Sequence, residues 1–153
     1  MDELRVWAPF SRWDESAVRR LLAGTETHPF RTGKALFYQG DRANRGWLVL
    51  SGAVRSVMYR SDESTLDLGV HGPGDWLGLP ELVLGGPCLA DAVALEGCRA
   101  LAFDKVVLGR WKAAPGGTDW LSAELARQCY ALHARVEVAQ PGQRLAHWLV
   151  SRR

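Results

Sequence analysis

Residues 72–94 read GPGDWLGLPELVLGGPCLADAVA. Two β-like runs bounded by glycines are joined there through residues 80–84, a segment whose backbone can start a helix. A helix start presents unpaired N–H groups and the positive end of its dipole, so one placed between barrel strands has the makings of an anion or ligand cradle. Spacing alone gives something plainer, a surface loop carrying one helical turn.

Outward from this stretch the texture is β. Short runs at 27–30, 35–38, 47–50, 53–59, 66–70, 90–95 and 98–103 are separated by turn residues, with glycines at 33, 40, 46, 52, 72, 74, 78 and 97. Many short strands with tight glycine corners describe an all-β sandwich or barrel. In residues 31–57, RTGKALFYQGDRANRGWLVLSGAVRSV, Gly33 and Gly40-Asp41 bracket one strand and Gly52 sits between two more. Residues 49–57 have the partial alternation of a hairpin with one buried face.

Helical patterns flank the β region. Asp14 is placed to cap a short helix through Ala17, Val18, Leu21 and Leu22, which Gly24 ends. Beyond Asp104 come a short segment, KVVLGRWKAA, and, past Pro115-Gly116-Gly117, a longer run over 118–139. In that run Leu125, Cys129, Leu132, Val136 and Ala139 recur at steps of four, three, four and three, the period of a two-stranded seam. A helix packed on its own barrel is the alternative. Pro141-Gly142 then breaks the pattern, and residues 143–153 start another amphipathic helix through Leu145, Ala146, Leu149 and Val150.

At 153 residues, with 47% hydrophobic residues and seven tryptophans, the chain suits one packed domain of ordinary size. A formal charge of +2 is too small to indicate a nucleic-acid surface by itself. The start, MDELRVWAPF, lacks the basic region and apolar core of a secretion signal, and every apolar run is broken before it could span a bilayer. The expectation is a soluble cytoplasmic protein without a membrane partner. Cys88, Cys98 and Cys129 make an odd count without metal-ligand spacing, which favours reduced thiols. His28, His71, His133 and His147 are isolated, and no N-terminal cysteine cluster is present for an iron–sulfur centre.

The order Gly, Leu-Phe, Gln-Gly-Asp, then Leu-Val-Leu-Ser-Gly-x-Val-Arg within 31–57 closely resembles the first half of a Crp/Fnr-type sensor domain. Residues 78–90 resemble that family's phosphate-binding cassette: Gly-Glu, seven residues often ending in Pro, then Arg-Ala/Ser/Thr-Ala. Gly78 and Pro87 match, and Ala90 takes the final Ala. Leu79 stands where the family has the Glu that accepts from the ribose hydroxyl, and Cys88 where it has the Arg that pairs with the cyclic phosphate. The resemblance covers about 10 to 103 and continues more weakly to the end. It implies a mainly β fold with flanking helices, a double-stranded β-helix (jelly roll) of the cyclic-nucleotide-binding type followed by a long dimerisation helix. The implied division is 1–116 for the N-terminal helices and β-roll, 117–140 for the dimerisation helix and 141–153 for the start of a truncated helix-turn-helix domain.

The function implied is that of an effector-sensing and dimerisation domain of a DNA-binding transcription regulator. It would form a homodimer through Leu125, Cys129, Leu132 and Val136, and would reach DNA only through a helix-turn-helix domain absent from this chain. A stand-alone interaction module without DNA binding is the alternative. The ligand pocket implied is the degenerate cassette, Gly78, Leu79, Glu81, Leu82, Cys88, Leu89 and Ala90, joined by Tyr130 and His133 if the long helix turns them inward.

Replacing a bidentate Arg with a thiol removes the main charge-assisted pair, so cyclic AMP is expected to bind weakly or not at all in the usual pose. Leu79, Cys88 and Leu89 make the cradle more apolar while Glu81 and Asp91 add negative charge. A neutral or apolar effector is therefore expected over an anion, with an empty, self-packed site as the alternative. No cofactor is certain, and the small-molecule effector is unidentified. A thiol at a helix start can have a lowered pKa, which makes Cys88 a candidate redox sensor against the commoner fate of buried packing. His71, Asp75, Glu81 and Cys88 lie close in sequence, but no third group can be placed to orient a Cys–His pair, so no enzymatic activity is expected.

Overall fold

A computed structural model describes residues 2–139, with side-chain surroundings through residue 135. Turns of 3-10 helix at Asp2–Val6 and Phe10–Arg12 lead into α1, Glu15–Leu21. Asp14 accepts a hydrogen bond from the Ala17 N–H at 2.7 Å, the side-chain cap that the sequence indicates. The last helical residue is Leu21, and the chain turns through Gly24 at φ +87°.

Eight strands follow: β1 Glu26–Phe30, β2 Ala35–Phe37, β3 Gly46–Ser51, β4 Val54–Tyr59, β5 Thr65–His71, β6 Trp76–Leu77, β7 Asp91–Ala94 and β8 Cys98–Phe103. They form two four-stranded sheets, ordered β1-β8-β3-β6 and β2-β7-β4-β5, with antiparallel neighbours throughout. Seven strands correspond to the expected runs with ends shifted by a residue or so. The eighth, β6, is two residues long and shows no alternation of its own. Its pairing with β3, Trp47 opposite Leu77 and Leu48 opposite Trp76, defines it.

Between the sheets, small side chains (Ala92, Ala94, Ala100 and Ala102) pack with Trp47, Val49, Val54 and Leu77. A second, aromatic-rich core lies under the helices, where Phe10, Trp76, Phe103, Trp111 and Trp120 meet at ring-centroid distances from 4.8 to 6.1 Å. Trp111 is fully buried and its Nε1–H donates to the Leu21 carbonyl at 2.8 Å, so its indole leaves no orphaned donor. Three more helices complete the fold: α2 Leu79–Leu84 between β6 and β7, α3 Lys105–Ala113 after β8, and the 23-residue α4, Gly117–Ala139. Asp104 caps α3 by accepting from the Val107 N–H at 2.9 Å. None of the described helices is long and apolar enough to cross a membrane. The amphipathic helix expected over 143–153, and the helix-turn-helix it was to begin, lie outside the described residues, as does the Val136 side chain.

Candidate functional site

α4 runs across the β2-β7-β4-β5 sheet, and the space between them is a cavity of about 670 Å³. That is the size of site that encloses a small organic molecule. The sheet supplies Phe37, Ser56, Met58, Leu68, Val70 and His71. The β6–α2 corner and the loop after α2 supply Gly78, Pro80, Glu81, Leu89 and Ala90. The helix supplies Glu124, Arg127, Gln128, Ala131, Leu132 and Arg135.

The polar end of the cavity is built by the β4–β5 ladder. Ser56 pairs with Gly69, and a bulge interrupts the register between Ser56 and Val57. His71 lies two residues beyond Gly69, on the same face, so its Nε2 reaches the Ser56 hydroxyl at 3.0 Å. Ser56 is only 6% exposed, and this hydrogen bond satisfies it. Burial lowers the His71 pKa below its ordinary value; Asp75 opposes that shift and Arg135 reinforces it. Gly69 has φ +107°, and a Cβ built there would overlap the Arg135 guanidinium. The absent side chain is what lets that guanidinium lie against the strand, next to His71.

The candidate residues of the cassette separate into two groups. Gly78, Glu81, Leu89 and Ala90 line the cavity. Gly78 stands at φ +77° and ψ 8°, a left-handed turn that lets α2 start immediately after β6. Leu79 is 0% exposed and Leu82 nearly so, and both pack into the aromatic-rich core. Neither lines the cavity. Cys88 is 4% exposed and also lies outside the lining; its N–H donates to the Asp41 carbonyl at 2.7 Å while its own carbonyl accepts from Gly40 at 2.8 Å. Burial, with Glu81 and Asp41 adding to it, pushes the Cys88 thiol up to about 11. The lowered pKa that would make it a redox sensor is thereby corrected: Cys88 follows α2 and does not sit at a helix start, and α2 has only six residues. Cys88 is also separated from His71, which does line the cavity, so the two form no nucleophile–base pair there.

Tyr130 and His133 are the other corrections. Tyr130 is 80% exposed, His133 is exposed, and neither lines the cavity of this chain. The helix presents Glu124, Gln128, Ala131 and Arg135 to it, a stripe that repeats the four, three, four spacing of Leu125, Cys129, Leu132 and Val136 shifted by one residue. That shift was the available signal for the missed residues. Of the seam residues, Leu125 is half-buried against the aromatic-rich core, Cys129 is exposed, and Leu132 is partly exposed while also lining the cavity. Arg127 and Arg135 bring positive charge that the cassette alone does not have, set in the same lining as the carboxylates of Asp75, Glu81 and Glu124, so the charge of the cavity is mixed. Among the described residues no group of three or more His, Cys, Asp and Glu is placed to hold a metal ion.

Two packed antiparallel sheets, a short helix between strands and a long helix over the cavity define a jelly roll of the cyclic-nucleotide-binding type. The chain belongs to the cyclic nucleotide-binding domain family, whose model matches residues 27–111. It is similar to the CRP-like cAMP-activated global transcriptional regulator of Mycobacterium tuberculosis, with 28% identity over 130 residues, 84% of this chain and 58% of that protein. Against the cyclic AMP receptor protein of Thermus thermophilus the identity is 36% over 97 residues, 63% of this chain and 45% of that protein. The crystal structure of Thermus thermophilus catabolite activator protein matches with a TM-score of 0.72 at 28% identity, over 85% of this chain and 62% of that one. The chain thus spans less than two thirds of the length of each of these relatives.

Proposed function

We propose that this chain is the effector-sensing and dimerising part of a Crp/Fnr-type transcription regulator, with DNA contacted by a separate helix-turn-helix domain of the whole protein. The observation that carries the proposal is the cavity roofed by α4, because a ligand there touches both the β-roll and the helix that would relay its presence. Trp76 of the cavity wall packs on Trp120 of α4 with ring centroids 4.9 Å apart, and Gln128 Nε2 donates to the Trp76 carbonyl at 3.2 Å. Displacing Trp76 therefore moves the contacts that set the position of α4. An occupant favouring one setting shifts the helix population in proportion to its difference in affinity.

The effector, in this reading, is not cyclic AMP held in the family's pose. Leu79 and Cys88 lack the groups that grip the ribose and the cyclic phosphate, and both are buried away from the cavity lining. Loss of one charged hydrogen-bonding partner costs roughly 2–3 kcal/mol, about two powers of ten in affinity. Calorimetric titration with cyclic AMP is expected to give no binding at low micromolar concentration, and saturable binding there would overturn this part of the proposal. Reading the coding DNA beyond Arg153 tests the other part. A helix-turn-helix continuing in frame supports the regulator, and an immediate stop codon favours a stand-alone interaction module.

A further inference from the structure

We propose that the cavity binds an organic monoanion, a carboxylate on an apolar body, with the carboxylate held by Arg135 beside the Ser56–His71 pair. The inference rests on reading this cavity as the effector site, and it names the chemical class of the effector.

Charge at the polar end decides between classes of ligand. Arg127 is engaged by Glu124, its Nη2 donating to Oε1 at 3.3 Å. Asp75 accepts from the Gly72 N–H at 2.8 Å and Glu81 lines the opposite side. Arg135 makes no ion pair with any described side chain, yet its guanidinium lies in the groove that Gly69 leaves open, against the wall that also carries His71. Among the described residues Arg135 is the lining guanidinium outside an ion pair, and with Asp75 and Glu81 in the same lining it can offset at most a single negative charge on a ligand, which disfavours a dianion. The planar fork of a guanidinium matches a carboxylate with two parallel hydrogen bonds. The neighbouring Ser56 hydroxyl and His71 imidazole, hydrogen-bonded to each other, keep this end of the cavity polar.

The remainder of the cavity is apolar. Phe37, Met58, Leu68, Val70 and Leu89 form the surface on which the body of such an acid would rest. Leu89 and Val70 line the cavity and are solvent-exposed, so an occupant that covers them gains by removing apolar area from water.

Octanoate and its neutral isostere octanamide separate the charge from the chain length. In calorimetric titrations of the whole chain, octanoate is expected to bind about tenfold more tightly than octanamide, the yield of a charge-assisted pair at a partly exposed site. The Arg135→Gln variant is expected to lose that preference while binding octanamide as before. Because Arg135 is exposed, its substitution leaves the core untouched, and an unchanged thermal melt checks this. Ser56, Gly69, Asp75 and Arg135 surround His71, and an anion added among them favours the imidazolium. Octanoate affinity should therefore rise as the pH falls below about 6.5 toward about pH 5.5, where the carboxylate stays mostly ionised. Equal binding of acid and amide, a preference that survives Arg135→Gln, or no binding of octanoate overturns the proposal. Cyclic AMP in the same instrument is the separate arm. Tight nucleotide binding overturns the exclusion of cyclic AMP given under Proposed function and, with it, the carboxylate as the effector, while silence from both nucleotide and octanoate overturns the carboxylate alone.

Discussion

At Cys88 the side chain takes the cassette arginine's place in the sequence but lies outside the cavity lining. The thiol is buried, and its pKa is pushed up to about 11 by burial first and by the nearby Glu81 and Asp41 second. At pH 8 only about one molecule in a thousand then carries the reactive thiolate there. Burial also raises the Cys98 pKa, whereas Cys129 is exposed on α4. Iodoacetamide should therefore leave Cys88 and Cys98 protected alike in the folded protein and label both in urea, as read by peptide mass spectrometry. Labelling of Cys88 in the folded protein well before Cys98 would restore the redox sensor. The sequence made Cys88 conspicuous because of the residue it replaces. Its burial depends on the crossing of the 40–41 turn with the loop after α2, a contact between segments nearly fifty residues apart that no local pattern carries.

Among the elements, the cassette helix α2 shows what its two replaced positions do structurally. Leu79 follows the left-handed turn at Gly78 and points into the core that Trp76, Trp111 and Trp120 share. Restoring the family's acid by Leu79→Glu should therefore cost about 3 kcal/mol or more of stability in urea unfolding, by loss of the packed leucine and burial of a carboxyl without a partner. Glu81→Gln, on the cavity wall, serves as the control and should be nearly neutral. A Leu79→Glu protein as stable as the parent would show that the position can turn outward to the ligand. The strands were legible because turn residues punctuate them, glycines at most corners and the tip at residues 61–64 between β4 and β5, and seven runs map onto seven of the eight strands. β6 was not, since a two-residue strand is defined by its partner in β3. α4 was legible as a helix, and its seam stripe as a pattern. The cavity stripe, one residue over, was hidden because Glu124, Gln128 and Arg135 look like an ordinary solvated face until the sheet is placed opposite them.

For the molecule as a whole, the question is what holds the outer half of α4. Trp120 and Leu121 anchor its beginning in the core and Leu125 packs at the margin; from Cys129 to Arg135 the side chains are exposed, or face the cavity, or both. A helix of 23 residues is about 34 Å long, and the described stretch from Cys129 to Arg135, roughly a third of it, has no core of its own to lie on. Short isolated helices are marginal in water, and a second copy packed along Leu125, Cys129 and Leu132 would supply the missing surface. Leu132 belongs both to that seam and to the cavity wall, so a parallel homodimer would put each effector site directly beside the subunit interface. In such a dimer the two Cys129 side chains face each other across the axis, within the reach of a disulfide. Mild oxidation should then give a crosslinked dimer on non-reducing electrophoresis, and Cys129→Ser should abolish the band while sedimentation still reports two chains. A single-chain sedimentation coefficient for the parent, with no oxidised band, would refute the homodimer and leave the relay confined to one subunit.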